Sequence, residues 1–164
     1  MSAHQIMLGD FGMDPRDCWD TPRDLFAEIN TDGRFTIDVC AEPWSAKMSR
    51  FWTREDDGLA KDWSNERCFV NPPYSDVEPW AEKCETARVA CLLVPVSSDS
   101  KWWHRALNSA VMIDFFLRRI DFVPPASVMA SSCNGRHCLM WFGDVCIEPG
   151  IRWRSRCAKT GKLL

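Results

Sequence analysis

The run Val89–Val96 (VACLLVPV) is apolar at every position and eight residues long. A bilayer span takes about 20 residues, so this run belongs inside a folded domain. Successive side chains of a strand point to opposite faces, so a strand without alternation has to be covered on both sides. That requirement points to a sheet with helices on each face, and the flanking segments agree. Phe35–Cys40 (FTIDVC), Arg67–Val70 (RCFV), Val111–Phe116, Arg119–Val123 and His137–Phe142 read as strands, with a shorter one near Arg50–Trp52. Thr21-Pro22-Arg23-Asp24 reads as a helix start, with Thr21 as cap and Pro22 at the first helical position, leading to an inward face of Leu25, Phe26 and Ile29. Ser75 with Glu78 forms a capping-box pattern ahead of Val77, Trp80, Ala81, Cys84 and Ala87 at helical spacing. A third helix is predicted over Ser98–Ala110, with Trp102 and Trp103 in its core face. The expected fold is a doubly wound α/β sheet, mostly parallel, with an antiparallel hairpin-like end.

The 164 residues suit one domain: a loose segment 1–14, a domain 15–148 holding a Pro-, Ala-, Ser- and Gly-rich loop 124–136, and a basic tail 149–164. The nine cysteines are odd in number, and several lie in apolar runs, as core thiols of a reducing cytoplasm do. No basic-then-apolar leader opens the chain, and neither a membrane nor a metal is expected as a partner. Cys133, His137, Cys138 and Cys146 lack the paired spacing of a zinc site. Residues 1–99 carry ten Lys and Arg against nineteen Asp and Glu, whereas residues 100–164 carry ten against four. A basic half can hold a phosphate backbone even on a chain whose net charge is −3, because the local field does the binding.

Asn71-Pro72-Pro73-Tyr74 carries the most chemical information. Two prolines cannot continue a central ladder, so the tetrapeptide must stand at the carboxyl end of the Arg67–Val70 strand, where open α/β sheets bind ligands. An amino group conjugated with a ring is a poor nucleophile because its lone pair is delocalised. Two acceptors on its hydrogens, the Asn71 side-chain oxygen and the Pro72 carbonyl, would favour a pyramidal nitrogen with its lone pair aimed at a methyl donor. The prolines, Pro73 included, preorganise the corner, and Tyr74 offers a face on which a planar base can stack.

With Trp19-Asp20-Thr21-Pro22, Asp38-Val39-Cys40-Ala41, Asp57-Gly58-Leu59, Asp62-Trp63, Leu93-Val94-Pro95 and Arg119-Ile120 in this order, the chain resembles the phage-type, Dam-like DNA N6-adenine methyltransferases from about Asp17 to Phe142. The resemblance implies a Rossmann-like methyltransferase fold and S-adenosylmethionine as methyl donor. It also implies a cofactor site around Trp19, Thr21, Pro22, Asp38, Cys40, Ala41 and Asp57. Asp38 is suited to accept from the cofactor's ammonium group. Cys40-Ala41-Glu42-Pro43 replaces the Gly-x-Gly turn of many methyltransferases. Arg118 and Arg119, with Arg136 in the flexible loop, are the expected contacts to DNA, and loop 124–136 the expected recognition element. A base inside a duplex has to be flipped out to react. Double-stranded DNA is therefore the expected partner, and a homodimer is compatible with so small a chain although no residue argues for one. Two rivals share the sequence: a methyltransferase acting on RNA adenine or a glutamine amide, and a catalytically silent DNA-binding relative.

Overall fold

A computed structural model of the chain describes Asp17, residues 19–124 and 135–146, the backbone of residues 152–156, and Lys162. Segment 1–14 and most of loop 124–136 and of tail 149–164 lie outside the described residues. The elements run α1 (Arg23–Gly33), β1 (Ile37–Asp38), a 3₁₀ turn (Gly58–Ala60), β2 (Arg67–Val70), α2 (Glu78–Cys84), β3 (Val89–Pro95), α3 (Lys101–Ser109), β4 (Met112–Phe116), β5 (His137–Gly143) and β6 (Arg152–Arg156).

The six strands form one sheet in the order β1-β2-β3-β5-β4-β6. β1, β2 and β3 are parallel, β5 is antiparallel to both neighbours, and β4 and β6 are parallel. Within the mostly parallel sheet expected from sequence, β3 is parallel to β2 but antiparallel to β5. β5 enters between β3 and β4, with Val89 opposite Gly143 and Pro95 opposite His137. Continuous apolar character reports burial of both faces and leaves strand direction open.

Alternation along the strands divides the core between the two faces. Cys68, Val70, Ala90, Leu92, Val94, Cys138 and Met140 point to one, where Ala81 and Cys84 of α2 and Trp103 and Ala106 of α3 pack. Phe69, Cys91, Leu93, Leu139 and Trp141 point to the other, against Leu25, Phe26 and Ile29 of α1. Helices thus cover both faces, and Trp102 and Trp103 belong to the α3 core. Asp114 of β4 is fully buried, and its Oδ2 accepts from Trp141 Nε1 at 3.0 Å.

Four local expectations are corrected. Pro22, rather than Thr21, occupies the N-cap of α1, and no side chain caps that end. Ser75 does not cap α2, which starts at Glu78; its N–H and hydroxyl donate to the Asp17 carboxylate at 3.1 and 2.7 Å. Arg119–Val123 keeps an in-out alternation, with Ile120 and Phe122 buried, but reaches only a two-way bridge between Val123 and Asp20. Arg152–Arg156, assigned by composition to the tail, is strand β6 beside β4. In each case a long-range partner, invisible to local pattern, took up the backbone or hydroxyl.

Candidate active site

The sheet direction gathers the ends of β1, β2, β3 and β4 on one edge, and a cavity of about 400 Å³ opens there. Trp19, Thr21, Asp38, Cys40, Ala41, Asp57, Asn71 and Pro73 all line it. Pro22, the N-cap of α1, the buried Pro72 and the half-buried Tyr74 are not among its lining residues.

Asp38 ends β1 with 2% of its surface exposed. Its Oδ2 accepts from the Lys47 N–H at 3.1 Å, whereas its buried Oδ1 has no hydrogen-bond partner. Burial, opposed by the Lys47 and Cys40 backbone and the Lys47 charge, raises its pKa to about 6. The Lys47 ammonium is itself buried and forms an ion pair with Asp20, whose own pKa burial also raises. Among the described residues of the cavity wall, Asp17, Asp20, Asp38, Glu42 and Asp57 face only Lys47 and Arg54 as opposing charges. A cationic ligand with an ammonium group fits both this acid surplus and the open Asp38 oxygen. Cys40 is the described cysteine in the cavity wall, and burial raises its thiol pKa, as it raises those of Cys84 and Cys138 and pushes Cys68 up to about 12, which disfavours the thiolates.

Where a Gly-x-Gly turn would stand, residues 39–46 are held by backbone and side-chain hydrogen bonds instead. Ala41 N–H donates to Trp52, and Ser45 Oγ accepts from Glu42 N–H. The close backbone approach moves to Gly58, whose position has no room for a Cβ: one would lie 2.5 Å from the Val39 carbonyl. Asp57, in the left-handed conformation at φ 51°, turns the chain into this contact, and Trp63 Nε1 holds the Gly58 carbonyl at 2.9 Å. Gly58→Ala is therefore expected to cost about 1–3 kcal/mol by overpacking against backbone, measurable by chemical denaturation.

Asn71 follows β2 and is half-buried. Its Nδ2 donates to the Trp19 carbonyl and to Thr21 Oγ1, each at 3.3 Å, and its Oδ1 accepts from the Tyr74 hydroxyl at 3.1 Å. Asp17 secures Ser75 on the same loop, so Asp17, Trp19 and Thr21 are all bonded to the loop that carries the tetrapeptide. The Tyr74 ring lies against His137 and Phe122, at centroid distances of 5.4 and 6.4 Å. Burial lowers the His137 pKa to about 4, so this ring is neutral at physiological pH.

Arg118 and Arg119 leave the end of β4 exposed to solvent, and Arg136 is exposed where its carbonyl accepts from Val96 N–H at 2.8 Å, just past β3. All three stand on the sheet edge at which the cavity opens, and none of them is among its lining residues. Sequence reasoning missed Lys47 and Asp20 as an ion pair, Asp17 as a tether, and Thr21 as a partner of Asn71. No spacing rule links residues that meet only through the fold; the one available signal was the cluster of acids on either side of Trp19.

Sheet, cavity and tetrapeptide together fit the class of α/β methyltransferases. The model of the DNA N-6-adenine-methyltransferase (Dam) family matches residues 11–156, and the chain belongs to that family. It is similar to the DNA N-6-adenine-methyltransferase of Haemophilus phage HP1, at 30% identity over 66% of this chain and 67% of that protein. It also resembles the DNA N-6-adenine-methyltransferase of Escherichia phage T1, at 28% identity over 60% of this chain, an alignment spanning 44% of that protein. No solved structure matches the chain.

Proposed function

We propose that the protein transfers the methyl group of S-adenosylmethionine to N6 of adenine in double-stranded DNA, with the cofactor in the cavity and the target amine at Asn71. The observation that carries this reading is that Asn71 stands on the wall of an acid-rich cavity holding an open, buried Asp38 oxygen. Bound S-adenosylmethionine would supply an electrophilic methyl group. Asp38 would accept from its ammonium, and Asp57, on the rim, would meet the ribose hydroxyls. Asn71 Oδ1 keeps one lone pair beside its bond from Tyr74, enough to hold one amine hydrogen, and the Pro72 carbonyl would hold the other. The amine proton becomes strongly acidic once the nitrogen is methylated and leaves to solvent, so the site needs no strong base. Arg118, Arg119 and Arg136 would contact DNA phosphates, loop 124–136 would read the sequence, and the chain would act in the cytoplasm of a bacterial or phage-infected cell.

The test supplies radiolabelled S-adenosylmethionine with duplex DNA, single-stranded DNA, RNA or protein, followed by nucleoside analysis. Label in N6-methyladenine from duplex DNA is expected. Label in RNA or in glutamine would overturn the substrate, and no label together with no cofactor binding would leave a silent DNA-binding relative. Arg119→Ala is expected to weaken DNA binding and to reduce the slope of log affinity against log salt by about 1. An unchanged slope would move the phosphate contacts elsewhere.

A further inference from the structure

We infer that the Trp19 carbonyl, the Thr21 hydroxyl and the Tyr74 hydroxyl fix the direction of the Asn71 amide, making position 71 an obligate hydrogen-bond acceptor that selects an amino group over a carbonyl. This rests on the reading that Asn71 receives the target amine. The two ends of an amide have nearly the same shape, so its partners decide which end faces the ligand. A hydroxyl can donate or accept and cannot decide the matter alone. The Trp19 backbone carbonyl only accepts, so the atom 3.3 Å from it must be the nitrogen.

The rest of the network then has one solution. With its first hydrogen on Trp19, Nδ2 gives its second to Thr21 Oγ1 at 3.3 Å, and the Tyr74 hydroxyl donates to Oδ1 at 3.1 Å. No amide hydrogen is left for a ligand, and one oxygen lone pair is. A group that donates is held there, while a ring carbonyl would meet lone pair with lone pair. Thr21 is 1% exposed, so its hydroxyl has no ready exchange with water and stays committed to Asn71. Thr21, expected from sequence to hold cofactor, becomes a positioning residue, as does the Tyr74 hydroxyl whatever its ring does. The arrangement also forbids aspartate at position 71 despite its identical shape. A carboxylate oxygen would then face the Trp19 carbonyl where an N–H is required.

The experiment compares Thr21→Val, Thr21→Ser, Tyr74→Phe and Asn71→Asp for kcat, and for affinity to S-adenosylhomocysteine by calorimetry. Thr21→Val is expected to lower kcat about tenfold with cofactor-product affinity unchanged within about twofold, and Thr21→Ser to restore it. Tyr74→Phe, which removes only a half-buried hydroxyl, is expected to lower kcat by a similar factor and serves if Thr21→Val does not fold. Asn71→Asp is expected to lose about a hundredfold or more, with its activity relative to wild type rising as pH falls, because a protonated carboxyl can again donate to Trp19. Full kcat in Thr21→Val or Asn71→Asp overturns the inference. So does a Thr21→Val variant whose defect is confined to S-adenosylhomocysteine affinity, since Thr21 would then be a cofactor ligand. An active Asn71→Ala variant would instead sink the placement of the target amine.

Discussion

Asn71→Ala is expected to lower kcat for methyl transfer by about 10²–10³, with binding of S-adenosylhomocysteine and of DNA close to wild type. The size follows from what the side chain does. In the proposed reaction it would supply one of two preorganised acceptors that draw the lone pair of the target nitrogen out of conjugation, an interaction that would grow as the nitrogen becomes tetrahedral. Alanine removes the acceptor and leaves the Trp19 carbonyl and the Thr21 and Tyr74 hydroxyls to rearrange at the edge of the sheet, away from either core face. Single-turnover kinetics under saturating cofactor and DNA separate this from a binding defect. An unchanged rate would place the chemistry elsewhere on the edge.

Asp38→Asn is expected to have opposite effects on binding and stability. The buried carboxylate lies in the cavity wall with one oxygen lacking a hydrogen-bond partner, and under the proposed reading neutralising it is expected to weaken S-adenosylmethionine binding by about 10²-fold or more. Stability moves the other way. The folded protein raises this pKa from 3.8 to about 6, chiefly by desolvation, so above pH 6 the charged form destabilises the ligand-free protein. That penalty is of the order of 3 kcal/mol at neutral pH, and it is relieved as pH falls from about 6 to about 4. The neutral amide of the Asp38→Asn variant escapes the penalty, and its oxygen still accepts from the Lys47 N–H. The variant should therefore melt higher than wild type at pH 7.5, and the difference should shrink toward pH 4.5. A variant that loses binding and also melts lower at pH 7.5 would mean that Asp38 supports the fold rather than the ligand.

Much of the architecture was legible because burial leaves a compositional mark. The unbroken apolar run of β3, the proline pair that stops β2, and the helical spacing of Val77, Ala81 and Cys84 each state what must be covered or ended. Strand direction was not legible, since a buried strand has the same composition whether its neighbour runs parallel or antiparallel. β5 between β3 and β4 and β6 beyond β4 emerged only from long-range pairing. Polar residues misled for a related reason. Thr21 and Ser75 have the chemistry of helix caps, but a hydroxyl bonds whichever partner the fold brings, and here those partners are Asn71 and Asp17.

By itself, the sequence determined that this protein is a layered α/β domain and that Asn71-Pro72-Pro73-Tyr74 follows a strand at the edge where the cavity opens, and its ordered motifs pointed to the methyltransferase family. Those properties are local: proline geometry, hydrophobic period and motif order need no knowledge of distant contacts. Only the tertiary structure decided that Lys47 pairs with Asp20 beside an open Asp38 oxygen, that Gly58 lies against the Val39 carbonyl, and that Trp19 and Thr21 hold the Asn71 amide. Asn71 is 50 residues from Thr21 along the chain. A hydrogen bond over that separation is set by how the sheet and α1 come together, and no short pattern encodes it.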